Sequence, residues 1–166
     1  MHKVENVMYM GQPYEVKLLT YPGKNTQIIL RDGKFIVYIN NRINENKQMP
    51  EAIQALRLWM IEKAQDIIRA RTEELSKVIG VVFNNIRIKD TKTRWGSCSS
   101  KGNLNFNFRI VMSPEVVMDY IIIHELCHLK HMNHSQEFWR CVESYMPDYP
   151  KYKDWLRKKG MELYKL

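Results

Sequence analysis

Between Val7 and Ile39, short β-branched and aromatic runs are broken by turn chemistry at Gly11-Gln12-Pro13, Tyr21-Pro22-Gly23 and Arg31-Asp32-Gly33-Lys34. Asp32-Gly33, set between the apolar runs 27–30 and 35–39, predicts a type I′ hairpin, because that turn needs positive φ at both central residues. This segment is expected to be a small antiparallel sheet. The period then changes from two to between three and four. From Pro50 onward Ile53, Leu56, Trp59, Met60, Lys63, Ala64, Ile67 and Ile68 recur at helical steps up to about Lys77, which predicts a long helix with one buried face. Gly80 ends it. Residues 84–90, 94–97 and 103–110 read as strands, the last by alternation of Asn with Leu and Phe, with Ser99-Ser100-Lys101-Gly102 as a turn.

A second helix is expected to start with Ser113 as its cap and Pro114 at its first position, running through Tyr120 and Ile121-Ile122-Ile123 into His124. Ser135 caps a third helix carrying Phe138, Trp139 and Val142, closed by Pro147 and Pro150. A last helical stretch holds Trp155, Leu156 and Leu163. Mixed strands and helices without repeats predict an α+β fold, and a chain of 166 residues suits one domain with a real core. The expected parts are a β subdomain over 1–48, a long helix over 49–79 and a core over 80–166.

Composition narrows the setting. Lys and Arg number 26 against 18 Asp and Glu, a net charge of +8 that can attract nucleic acid or any acidic partner. The three cysteines are odd in number and none forms a C-x-x-C pair, which argues against a disulfide framework and for a reducing compartment, the cytoplasm. The first ten residues carry Lys3 and Glu5 and lack the apolar stretch of a secretory signal. The longest apolar runs, such as 35–39, are strand-length and far below the roughly 20 residues that span a bilayer. The expectation is a soluble protein with no membrane partner and an oligomeric state that the sequence leaves open.

The chemistry concentrates at His124-Glu125-Leu126-Cys127-His128, an H-E-x-x-H inside the second helix. Positions four apart differ by about 40° around a helix, so both imidazoles leave one face and can reach one ion. Glu125 lies about 100° round, near enough to serve a water beside the metal as a base and too far round to be an easy ligand. With 5 histidines in the chain, a chance match to this pattern is expected roughly 0.01 times, so chance is a poor account of it. A salt-bridged surface helix could also carry these residues, but the isoleucines before His124 argue against it by putting this turn in the core. A catalytic zinc takes three protein ligands and keeps one position open. The third is sought among His131, His134, Glu137 and Glu143. His131 is seven residues past His124, about 10.5 Å of helix rise, which is too far. Asn133 tolerates the left-handed conformation that ends helices, so the chain can turn there and return His134 to the metal, and His134 is the preferred ligand. Glu137 and Glu143 stay open. Tyr120, one turn before His124, is placed either to pack or to orient a ligand or an oxyanion. Cys127 and Cys98 read as small buried hydrophobes.

The text Arg94-Trp95-Gly96-Ser97-Cys98, Asn105-Phe106-Asn107, residues 120–128, Asn133-His134-Ser135, Phe138-Trp139, Pro147, Tyr149 and Trp155-Leu156 resembles the YgjP-like metallopeptidases, zincins related to the SprT-like and WLM proteases. The likeness extends over nearly the whole chain. It implies a zincin-like core, an active-site helix on a small, mainly antiparallel sheet. It also implies Zn2+ as cofactor, the ligand set His124, His128 and His134, and hydrolysis of a peptide or protein substrate. Metzincins also set a third histidine six residues after the second, but have Gly where this chain has His131. Zincins bind extended peptide against an edge strand, which residues 94–97, with Arg94 and Trp95, or 103–108 could supply. Two rivals remain at this level. One is a SprT-like protease acting on DNA-bound proteins, with Lys151, Lys153, Arg157, Lys158 and Lys159 beside Tyr152 and Trp155 as its nucleic-acid footing. The other is a metal-dependent hydrolase of a non-peptide amide.

Overall fold

The structure is a computed structural model that describes residues 5–166; Lys3, used above in the argument against a signal sequence, lies outside the described residues. Strands β1 (Asn6–Tyr9), β2 (Gln12–Tyr21), β3 (Gln27–Arg31) and β4 (Lys34–Asn40) form one sheet in the order β1-β2-β4-β3. Asp32 at φ 51 and Gly33 at φ 72 make the expected type I′ turn, and Arg31 pairs with Lys34 across it. The sheet is not wholly antiparallel as expected: β2 and β4 run parallel, with Val16 opposite Phe35 and Leu18 opposite Val37. After β2 the chain crosses to the far edge to lay down β3, and the tight turn brings β4 back into the gap. Turn chemistry specifies the hairpin but not the second neighbour of its returning strand.

Helix α1 (Glu45–Ile79) starts before Pro50, not at it, so the long helix begins at 45 rather than 49. Proline here removes a bond only in the second turn, and the entry is tightened by Lys47 N–H donating to the Asn44 carbonyl at 2.8 Å. One stripe is buried, at Ala52, Leu56, Met60, Ala64, Ile68, Thr72, Leu75 and Ile79, the four-residue spacing of a single helix face. It packs against β3, β4, β5 and α2. Gly80 ends α1 in the left-handed conformation, φ 74, its N–H bonded to the Ser76 carbonyl.

A second sheet has the order β5-β7-β6, from β5 (Asn85–Lys89), β6 (Gly96–Cys98) and β7 (Asn103–Asn107). It contains one parallel pairing, β5 with β7, and one antiparallel pairing, β6 with β7, so it is mixed and not mainly antiparallel. β7 stops at Asn107 instead of continuing to Ile110. The Asn107 side chain accepts from the Arg109 N–H at 3.1 Å and starts a 3-10 turn, Phe108–Met112. Ser113 bonds back to the Ile110 carbonyl at 2.7 Å and closes that turn. Helix α2 (Glu115–Cys127) therefore has Pro114, not Ser113, at its N-terminal boundary. The turn between β1 and β2 docks on this 3-10 segment: Met10 N–H and Gly11 N–H donate to the Val111 and Met112 carbonyls, each at 3.0 Å. A Cβ on Gly11, itself at φ 78, would lie 2.7 Å from Pro114. Helix α3 (Gln136–Tyr145) and helix α4 (Tyr149–Lys159) follow, and Pro150 opens α4 instead of closing α3. The result is a mixed α+β fold whose core runs from Phe35 and Met60 through Phe106 and Ile122 to Phe138. No described helix is long and apolar enough to cross a membrane.

Candidate metal centre

Helix α2 is buried on nearly every side, and Ile121, Ile122, Ile123, Leu126 and Cys127 enclose the polar residues between them. It ends in a tight turn. Leu129 N–H bonds to the Leu126 carbonyl, and the N–H groups of Lys130 and His131 both reach the Cys127 carbonyl, all at 3.0 Å. The chain then turns back without the left-handed Asn133 that the sequence suggested: among the described residues only Met10 and Asp32 have positive φ outside glycine. The reversal is made by Ser135 N–H bonding to the Asn133 carbonyl at 2.8 Å and by the Ser135 hydroxyl capping α3 at Phe138 N–H. His134 is thereby delivered to the exposed end of the histidine face. Its Nε2 lies 3.1 Å from Nε2 of His124 and 3.2 Å from Nε2 of His128. These three residues are the one group of metal-binding type among the described residues. Glu137 and Glu143 are exposed and outside it.

His131 contributes by its backbone. Its carbonyl lies 3.0 Å from Nδ1 of His128, so that nitrogen carries the proton and Nε2 keeps its lone pair for a ligand bond. The rings are held by aromatic stacking: Phe138 lies on His128 with centroids 4.3 Å apart and planes at 18°, and Trp139 lies on His134 at 5.8 Å and 23°. Burial, reinforced by the neighbouring His128, His134 and Lys153 charges, drives His124 down to about 3. Burial likewise lowers His128. Two imidazoles that burial keeps from charging therefore converge with the ring of His134. A lone ring N–H on His134 can serve one of its two neighbours, whereas a single cation serves all three. Bonds of about 2.0–2.1 Å in a tetrahedral site space ligand nitrogens by roughly 3.3–3.4 Å, close to the observed separations. The donor set fits a divalent transition metal.

Glu125 is 6 % exposed, and burial pushes its carboxyl up to about 8, with the Arg94 charge pulling the other way. The room for it is made by a glycine. A Cβ on Gly96 of β6 would stand 2.9 Å from Cγ and 3.0 Å from Oε1 of Glu125. That role was missed in the sequence, although Gly96 sits inside the Arg94–Cys98 text. Tyr120 is buried, its ring edge-on to His124 at 5.9 Å, and burial followed by the Tyr149 and Glu125 charges raises its phenol to about 12. Arg94, Trp95 and Tyr120 do come together with His124 and Glu125, around a cavity of about 320 Å³. The Trp95 ring is packed against Gly160 and lies 5.4 Å from Tyr164. β6 is an edge strand beside α2, while β7 is internal and offers no edge. Cys127 is buried as expected, its sulfur 3.3 Å from that of Cys141. On the basic α4, Asp154 pairs with Arg157 and Lys158, and Tyr152 and Trp155 pack on the core.

A sequence model for a family described as YgjP-like, metallopeptidase domain, matches residues 1–159. Among solved structures, the metallopeptidase zymogen of Pyrococcus abyssi abylysin is 29% identical with a TM-score of 0.51, over 56% of this chain and 95% of that one. The metallopeptidase zymogen of Methanocaldococcus jannaschii jannalysin is 26% identical with a TM-score of 0.49, over 55% and 95%. No curated protein matches the sequence.

Proposed function

The chain belongs to the YgjP-like metallopeptidase family and is a hydrolase of peptide bonds, and on that premise we propose that its metal is zinc, held by His124, His128 and His134, with Glu125 as general base. One observation carries the reading: three imidazoles converge, each offering a ring nitrogen within 4.8 Å of the others, and His124 shares a cavity lining with the buried Glu125 carboxyl. Zinc, when bound, supplies a Lewis acid that polarises a peptide carbonyl and acidifies water. The chain's own residues do the rest. Glu125 takes a proton from the attacking water on its carboxylate and delivers it to the departing amine, a task suited to a carboxyl whose burial lifts its affinity for protons toward neutrality. The His131 carbonyl fixes the tautomer of His128. Phe138 and Trp139 keep the rings from rotating. The free edge of β6 pairs with the extended substrate backbone. Tyr120, edge-on to His124, orients that ring. An odd cysteine count without a C-x-x-C pair supports the cytoplasm as its setting.

Glu125→Gln tests the reading. Peptide cleavage should fall by about 10²–10⁴-fold while metal content stays at the wild-type level; undiminished cleavage by the variant would remove the carboxylate from the mechanism.

A further inference from the structure

The cavity beside His124 and Glu125 has mainly apolar walls, to which Trp95, Ile121 and Leu156 contribute, and its volume of about 320 Å³ suits one substrate side chain. Two cations stand on its lining, from separate parts of the fold. Arg94 comes from the segment entering β6, and Lys153 from α4, where its ammonium lies 4.4 Å from the centre of the Trp139 ring. Neither takes part in an ion pair among the described residues. The carboxylate nearest Lys153 in sequence, Asp154, is already taken by Arg157 and Lys158. The one acid on the cavity lining is Glu125, whose side chain is buried and committed to the chemistry. A basic substrate residue would meet two like charges there, whereas a carboxylate would gain charge-assisted bonds against a low-dielectric wall.

Resting on the peptidase reading above, we propose that this cavity selects a carboxylate adjoining the scissile bond, with Arg94 and Lys153 as its specificity determinants. That carboxylate is either an Asp or Glu side chain or the free C-terminus of the peptide. The enzyme is thus a peptidase of acidic substrates, although its own net charge of +8 comes mostly from residues elsewhere.

The test uses the metal-loaded protein and blocked peptides that differ at one residue on either side of the cleaved bond, with Glu, Gln or Lys there, each as free acid and as C-terminal amide. The expected kcat/KM is at least ten-fold higher for peptides with the selected carboxylate than for the Gln amide, and lowest for the Lys amide. Glu amide and Gln free acid tell the two carboxylate sources apart. Arg94→Gln and Lys153→Gln should each draw the Glu-to-Gln ratio toward one, and a ratio cancels any general loss from altering the surroundings of Glu125. Equal cleavage of the whole series overturns the pocket and leaves the peptidase reading standing. As a readout independent of turnover, tryptophan fluorescence is titrated with N-acetylglutamate α-amide and with N-acetylglutamine amide. Preference for the former that vanishes in Arg94→Gln, together with no cleavage of any peptide, supports the pocket and sinks the activity assignment.

Discussion

Helices α1 and α2 share one core yet carry their residues in opposite ways. α1 buries a single stripe and leaves the rest wet, with Leu58 57 % and Val78 66 % exposed. α2 is enclosed on nearly all sides, with Glu125 buried on it and His128 buried at its C-terminal boundary. On α1 a polar residue away from the stripe costs little because water solvates it. On α2 each polar group must find a partner inside the protein, at a penalty of roughly 1–3 kcal/mol if it does not. Polar residues retained on such a helix are either paired, as Asp119 is with Arg71 of α1, or candidates for chemistry. That contrast, more than the presence of histidine, locates the site.

The largest effect that would sharpen the contrast is expected at Phe138, the fully buried ring under His128. Phe138→Ala should cost about 3–5 kcal/mol in chemical denaturation and loosen metal retention, since it removes both packing and the plane that holds the imidazole. Next comes Gly96→Ala. Its new Cβ would displace Glu125, so peptide cleavage should drop about 10–100-fold with the fold retained in circular dichroism. Unchanged activity would show that the close approach of β6 to α2 is dispensable.

A subtler effect follows from the raised Glu125 pKa in the metal-free protein. A carboxyl that binds its proton more tightly when folded adds nothing unfavourable below its ordinary value of 4.5, destabilises the fold increasingly as pH rises, and reaches its full effect above about 8. Chelator-treated Glu125→Gln, which cannot ionise, should therefore match wild type at low pH and exceed it in melting temperature at pH 8 and above. A constant difference across that range would break the link to burial. Smallest of all, Leu58→Ser on the wet side of α1 should change stability by no more than about 0.5 kcal/mol.

Features encoded within a few residues were legible in the sequence. The Asp32-Gly33 turn, the stripe on α1, the H-E-x-x-H helix and the Ser135 cap each follow from local spacing or from one side chain bonding to a near neighbour. His134 does meet His124 and His128, but the Ser135 N–H bond to the Asn133 carbonyl and the Ser135 cap, not a left-handed Asn133, make the reversal that brings it there. Long-range choices were not legible. Periodicity says nothing about which strand β4 will lie beside after the hairpin closes. Gly96 opposing Glu125 and the His131 carbonyl opposing His128 were invisible for the same reason: each partner is defined by packing, and a glycine or a backbone oxygen leaves no pattern of its own. Pro50 was read as a helix start because proline favours first turns, yet α1 begins earlier since only one hydrogen bond is forfeited.

If His124, His128 and His134 together hold one ion as proposed, elemental analysis of protein purified without chelators or affinity metals reads it directly. The wild type should carry close to one zinc per chain, and His134→Ala, which keeps two of the three imidazoles, a small residue of that. Full metal occupancy in that variant, or none in the wild type after zinc is supplied, would contradict it.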